Sequence, residues 1–543
     1  MTQAKQSFVK GAAILGIATL FTKILGAVYR VPYQNITGNE GMFVYQQVYP
    51  LYSTLLILAT AGFPIAISKL VSERLAAGDP GGARRVFRIT AVLLTVTGLI
   101  FFILLYMGAS RIAEWMGSRE MLTMPIQSVS FALLIVPVLS AIRGYFQGYQ
   151  NMTPTAVSQV VEQIIRVATI LLLSWWFMEN GAGVVYAGAG AVFGAFTGAL
   201  GALAVLIYYW RKNLGLERQI GTASSDARGV EESVTGIIHQ LMMLAIPICL
   251  GSLVMPLFSL VDSFTIANLL TAGGWSVDQA IDAKGVFDRG QPLIQFASFF
   301  ATALALSIVP AIADAKIRGD ERTARERAGL ALRLTLLIGV PASVGLAIIA
   351  EPTNVMLFED SDGSDALAIL AFTSLFSTMG MTSGGILQGF GRVVLPARNL
   401  LIGVVVKLLL NQWWIPLWDI RGAALATVAG YAVAAWLNLR VLREETGYLF
   451  GLRGKGPSLI LATLFMSGIV WLTVKGLHLL LTGDWPLRLE MAVVALASVM
   501  TGALAYLTAL FRLRVLIRSD VEQLPKGKEK MIRMLDRFRL LPK

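Results

Sequence analysis

The feature that most constrains this chain is the recurrence of apolar stretches about 20 residues long, the length a helix needs to cross a bilayer. Windows of about 19 residues pick out about fourteen of them. They include 8–33, 42–69, 238–269, 287–313, 396–418 and 421–440, and the last two are 457–480 and 488–511. Lipid offers the backbone no hydrogen-bond partners, so each stretch must satisfy its own as a helix. The expected fold class is an all-α integral membrane protein. Composition agrees, with 56% hydrophobic and 14% charged residues against about a quarter charged in soluble domains. Connections of at most about 30 residues leave no room for a soluble catalytic domain. The first apolar run is long enough to span and lacks a small-residue cleavage site, so it reads as a retained helix rather than a signal peptide. One cysteine, Cys249, and two distant histidines, His239 and His478, offer no disulfide and no metal cluster, and no cofactor is expected.

Lysine and arginine orient the helices. With the N-terminus inside, the inward segments carry about 33 of these bases and the outward ones about six: Arg111, Arg119, Lys284, Arg289, Arg421 and Arg488. Both termini are therefore expected in the cytoplasm. The net charge of +12 follows from this asymmetry and needs no nucleic acid. The basic tail after Arg512 reads as a contact with anionic lipid.

An internal repeat at an offset of 241 residues sets the organisation. Gly78-Asp79 with Ala83-Arg84 recurs as Gly319-Asp320 with Ala324-Arg325, and Gln147-Gly148-Tyr149 recurs as Gln388-Gly389-Phe390. Arg166 falls opposite Lys407. The offset spans an even number of helices, so the copies run parallel, with a substrate site expected between them. The expected divisions are a six-helix lobe at 1–210, a cytoplasmic linker at 211–236, a second six-helix lobe at 237–442, two further helices at 443–512 and a basic tail at 513–543.

Ionisable groups inside the spans are the candidate site, because each costs about 2.5–3.5 kcal/mol to insert and normally faces the bundle interior or a wet cavity. On the first helix Thr19, Lys23, Gly26 and Arg30 share one face. On the fifth, Gln159, Glu162, Gln163 and Arg166 do the same, with Arg166 about 18 Å past Pro154 at 1.5 Å per residue. Glu162 and Arg166 are four apart and serve either as a structural ion pair or as part of a ligand site. Lys407, on the eleventh helix, has no carboxylate within one turn. Asp288 is placed to orient Arg289, or Asp262 to neutralise it, while Arg143 reads as an interface residue reaching for the headgroups. Arg30, Arg289, Lys23, Arg166 and Lys407 thus outnumber Asp288, Asp262 and Glu162. Such a cavity attracts an anion, and guanidinium forks suit phosphate oxygens.

Thr22-Lys23-Ile24-Leu25-Gly26 with Arg30, Gly148-Tyr149-Gln150-Asn151-Met152 before Pro154, and Asp288-Arg289 followed by Val309-Pro310 resemble the MurJ/SpoVB/YtgP branch of the MOP exporter superfamily. The resemblance implies two six-helix lobes in a V, two further helices, and the flipping of undecaprenyl-linked precursors, most of all lipid II. It also implies that Lys23 stands where such proteins carry a first-helix arginine, that Arg30 is offset by one residue from a second, and that Arg289 matches one on helix eight. A helix-two arginine of that branch has no counterpart between Pro50 and Lys69 other than Lys69 itself.

The expected function is an alternating-access lipid II flippase in the bacterial plasma membrane. It would act as a monomer beside cell-wall synthesis proteins, and would be a transporter and not an enzyme, without a phosphate loop for ATP. Its rivals are a flippase for another polyprenyl-linked polysaccharide, a cation-coupled multidrug exporter of the same superfamily, and a membrane glycosyltransferase, which would need acidic residues on a sizeable outer loop.

Overall fold

A computed structural model of the chain describes residues 2–221, 233–295, 312–446, 456–481, 485–513 and 515. Every regular element among them is helical. In order they are α1 (Thr2–Val28), α2 (Arg30–Thr60), α3 (Phe63–Ala76), α4 (Pro80–Trp115), α5 (Arg119–Ser130), α6 (Ala132–Gly148), α7 (Thr153–Glu179), α8 (Val184–Gly221), α9 (Val234–Ala272) and α10 (Val277–Arg289). There follow α11 (Glu321–Ile348), α12 (Ala350–Phe358), α13 (Ser364–Gly389), α14 (Val394–Thr446), α15 (Gly456–Leu480) and α16 (Leu487–Arg512).

Eleven segments among the described residues are long and apolar enough to cross a membrane. Two are of double length, Ile14–Ala76 with 63 residues and Val394–Glu445 with 52. Each hides a break that separates two expected spans. In α2 the break is Gly38, at φ 70° and ψ −169°, a conformation open to glycine and costly for other residues. In α14 it is Trp418 and Asp419, the latter at φ 52°. The expected span 287–313 falls largely on 296–311, outside the described residues, as do 222–232 of the expected linker and nearly all of the basic tail.

Apolar side chains face outward, as lipid requires. On α4, Val96, Leu99, Ile100, Ile103, Leu104 and Met107 are exposed, while Val86, Thr90, Leu94, Gly98 and Leu105 turn inward.

The chain divides into two compact units, Met1–Pro292 and Leu293–Lys543. The first contains α1 to α10, so α9 and α10 pack with the N-terminal helices, and the packing boundary falls later than the 211–236 linker. Gly62 shows why α9 belongs there. A Cβ at Gly62 would lie 2.2 Å from the Ala245 carbonyl oxygen, so the start of α3 rests directly on the α9 backbone.

The repeat is visible in the backbone. The offset of 241 separates the starts of α4 and α11, the ends of α6 and α13, and the starts of α7 and α14. Gly78 and Gly319 close the preceding helices at φ 75° and 74°. Asp79 and Asp320 then cap the next ones, accepting from the backbone N–H of Gly82 at 2.7 Å and of Thr323 at 3.0 Å. At the second match the left-handed residue is Gln150 in one copy and Gly391 in the other, at φ 58° and 85°.

Candidate substrate-binding site

The polar stripe of α7 builds the first cluster. Glu162 accepts from two arginines at once, Arg166 Nη2 on Oε1 at 2.6 Å and Arg143 Nη2 on Oε2 at 2.8 Å. Arg143 also donates from Nε to Ser158 Oγ at 3.0 Å. The side chains of all three ionised groups are only 12–15% exposed. Arg143 is therefore not a headgroup-seeking residue. It turns inward from α6 because a buried carboxylate flanked by hydroxyl and guanidinium partners satisfies it better than a longer reach to the interface.

Glycines on α8 set the position of this cluster. A Cβ at Gly194 would lie 2.9 Å from the Arg166 carbonyl oxygen, and one at Gly198 only 2.6 Å from that of Glu162. Spaced four apart, they line the contact face and let α7 approach backbone to backbone.

The same stripe meets the polar face of α1, where a Cβ on Gly26 would lie 3.3 Å from Gln163 Nε2. Arg30, where the first span continues into α2, is buried at 6% exposure. It lies beside Tyr29, Tyr45 and Tyr49. Tyr29 and Tyr45 join by their hydroxyls at 2.5 Å, and Tyr45 stacks on Tyr49 with ring centroids 5.7 Å apart and an interplanar angle of 16°. Lys23, expected among the buried bases, is exposed instead. The neighbours of α1 cover the side that carries Ala18, Thr22 and Leu25 and leave the Lys23 side open.

The third cluster joins α10 to α2. Lys284 and Asp288, one turn apart, form an ion pair. Lys284 is 1% exposed and Asp288 3%. Lys284 thus lies buried on a helix, with Asp288 as its ion-pair partner. The reason is the approach of the two helices, for a Cβ at Gly285 would lie 2.1 Å from the Asn39 carbonyl oxygen. Asn39, next to the Gly38 break, donates from Nδ2 to Asp282 Oδ1 at 3.0 Å. Its Oδ1 accepts from Gln34 Nε2 at 3.1 Å and from Arg289 Nη1 at 3.3 Å. Asp262, 2% exposed, lies within electrostatic reach of Asp288, as does Arg30.

Seven of these buried or nearly buried groups were readable as ionisable sites inside or beside apolar spans; Lys284 was not. Together Arg30, Arg143, Arg166, Lys284 and Arg289 exceed Glu162, Asp262 and Asp288 by two charges. Lys407 belongs to the second unit, on α14, buried at 1% beside Asn411 at 0%. Among the described residues no three His, Cys, Asp or Glu side chains come together to hold a metal ion.

A family model described as "Polysaccharide biosynthesis protein" matches residues 8–316, more than half of the chain. The chain belongs to the polysaccharide biosynthesis protein family. A second model, MatE, matches residues 247–413, which places this polysaccharide biosynthesis protein in the wider MOP superfamily, a superfamily of transporters and not of enzymes. It is 36% identical over 520 residues to the uncharacterized membrane protein YabM of Bacillus subtilis, covering 95% of each chain. It is 30% identical over 533 residues to the lipid II flippase MurJ of the same organism, covering 95% of this chain and 97% of that one. Among solved structures, a lipid II flippase MurJ in an inward closed conformation superposes with a TM-score of 0.66 over 92% of this chain and 98% of that one, at 14% identity. An inward-facing multidrug transporter of the MATE family superposes with a TM-score of 0.63 over 80% and 98%, at 16% identity. The fold is thus that of MurJ and MATE proteins, and this family member is a multi-pass membrane protein.

Proposed function

We propose that this protein is a flippase for polyprenyl-diphosphate-linked glycan precursors, with lipid II as substrate, moving the head group across the bilayer by alternating access. The observation that carries the reading is Arg30. It is buried in the first unit, and its Nε and Nη1 have no hydrogen-bond partner among the described residues. Two buried N–H donors left without a partner on one guanidinium have hydrogen-bonding capacity to give to phosphate oxygens. Arg289, steadied by Asn39, and Lys284, held by Asp288, add positive field nearby without themselves being the grip. Arg166 and Lys407 stand at matching positions of the two copies and supply further cationic groups, while exposed Lys23 meets the head group at entry. Asp262, Asp288 and Glu162 orient these bases or couple transport to an ion.

Similarity to the lipid II flippase over nearly the whole of both chains supports the substrate. On this reading the chain lies in a bacterial plasma membrane with both termini inside, the two copies form lobes of six helices each, and the basic tail rests on anionic lipid. It works as a monomer beside cell-wall synthesis proteins. Accessibility of lipid II at the outer leaflet tests the proposal, measured in cells depleted of their flippases and rescued by this chain. Exposure returns with wild type and not with Arg30→Gln or Arg289→Ala at equal membrane abundance. Full rescue by both variants would sink it.

A second reading is a flippase for another polyprenyl-linked glycan, supported by 24% identity over 189 residues to the probable low-salt glycan biosynthesis flippase Agl15 of Haloferax volcanii. Wild type that leaves lipid II exposure unchanged while restoring another lipid-linked glycan would favour it. The MatE match keeps a multidrug exporter as the third, and resistance conferred by overexpression would favour that one.

A further inference from the structure

Arg30 is not alone in holding unused donors. Within the same unit, Arg166 Nε and the Tyr52 hydroxyl are buried without a hydrogen-bond partner among the described residues, and so is the acceptor Gln159 Oε1. Buried polar groups are nearly always paired, so several orphans around one arginine mark a place where a polar ligand belongs. Among the tyrosines, Arg166 feels Tyr52 most, then Tyr49 and Tyr45, whereas Arg30 feels Tyr29 and Tyr45 before Tyr49. Tyr45, Tyr49 and Tyr52 follow one another on α2 at steps of four and three, a row about 10 Å long at 1.5 Å per residue. Tyr49, in the middle, is the partly exposed member, with Tyr45 stacked on it and Tyr52 tilted at 6.3 Å.

We infer that the first unit carries two separate oxyanion subsites, one at Arg30 and one at Arg166 with Tyr52, at opposite ends of a tyrosine row, and that its substrate bears a second acidic group beyond the sugar. The inference rests on the flippase reading and sharpens it. The diphosphate takes Arg30, a sugar lies on the exposed face of Tyr49, whose ring is apolar in body and polar at its tip, and a carboxylate takes Arg166 Nε with the Tyr52 hydroxyl. Glu162 sets the strength of the far subsite. It is shared between Arg166 and Arg143, so it neutralises only one of the two charges and leaves the pair attractive to an anion. A neutral lipid-linked glycan would fill the near subsite and leave the far one empty.

The test uses purified full-length protein in lipid nanodiscs and two probes. One is lipid II with free peptide carboxylates, and the other is the same lipid with those carboxylates converted to amides. One lost charge-assisted contact corresponds to about a tenfold change in affinity. Wild type binds the amidated probe about tenfold more weakly. Arg166→Gln lowers affinity for native lipid II to the amidated level and leaves the amidated probe unaffected, whereas Arg30→Gln weakens both alike. Glu162→Gln tightens native lipid II alone, a gain that misfolding cannot imitate and that decides the matter if Arg166→Gln does not fold. Equal binding of the two probes by wild type, or equal losses for both in Arg166→Gln with no gain in Glu162→Gln, overturns the second subsite while the flippase reading stands. Wild type that binds neither probe overturns the flippase reading itself, and the second subsite with it.

Discussion

Asn39 and Arg289, 250 positions apart, meet through Oδ1 and Nη1 at 3.3 Å. The same amide donates to Asp282, so one side chain beside the α2 break holds α10 at its middle and at its last residue. Asn39→Ala removes both of these bonds to α10. A loss of about 1–3 kcal/mol is expected for such a partly buried polar hub, seen as a lowered thermal midpoint in detergent. Asn39→Asp, which keeps the acceptor toward Arg289 but repels Asp282, should fall between wild type and alanine. A midpoint unchanged by either substitution would show that α10 is held by packing alone.

Lys284 and Asp288 are both buried, so removing one partner strands the other's charge. Lys284→Met should cost about 3–5 kcal/mol, and Lys284→Met with Asp288→Leu should recover most of that loss. Thermal unfolding of the two single variants and the double variant checks this as a cycle. Simple additivity of the two single losses would mean the pair contributes nothing as a pair.

Gly198 sits where a Cβ would come within 2.6 Å of the Glu162 carbonyl oxygen. Backbone cannot swing aside as a side chain can, so Gly198→Val must push α7 away from α8. The cost is about 1–3 kcal/mol for an overpacked contact, and substrate affinity should fall as well, because the displaced turn carries Glu162 and Arg166. Normal affinity in a well-folded Gly198→Val protein would separate the α7 position from the site.

The turn after α6 places Gln150 at φ 58°, where its repeat counterpart is Gly391 at φ 85°. A left-handed conformation costs a side-chain-bearing residue about 1–2 kcal/mol. Gln150→Gly should therefore raise the unfolding midpoint slightly, and Gly391→Gln should lower it. Equal and opposite shifts would show that the two turns are equivalent; shifts of the same sign would refute that.

Asp320 caps α11, and the Thr323 backbone N–H holds its carboxyl below the ordinary carboxylate value. With the folded value depressed, the cap's contribution is complete above the unfolded value, about 3.9, and is lost as pH falls through the lower folded one. Hydrogen exchange at the Thr323 amide, corrected for intrinsic rate, should show protection at neutral pH that disappears in acid. Asp320→Asn should keep that protection at both.

Much of this was legible in the sequence because lipid imposes its own rules. Hydropathy alone placed the spans, since every one must be apolar and helical, and the Gly-Asp turns announced the repeat because a left-handed residue and a cap need those residue types. Glu162 and Arg166 were legible as a pair from their spacing on one helix. Arg143 was not, because its carboxylate comes from another helix and no local pattern links α6 to α7. Lys284 was hidden for a different reason. Residues 270–286 lie between two expected spans and read as a connection, whereas the burial of Lys284 comes from packing of α10 against α2 and α9, which no local pattern shows. The tyrosine row passed as ordinary apolar content, its meaning lying in the arginines that flank it.

The recurrence of helix starts and ends at 241 residues also limits how such a chain can lengthen. If the copies run parallel, as the even helix offset predicts, each begins α4 or α11 after the same glycine turn facing one compartment, and segments gained or lost between the copies must come in pairs of spans. A single added span would deliver the second set of turns, caps and buried bases to the opposite compartment, leaving every helix intact and the transporter inverted in half.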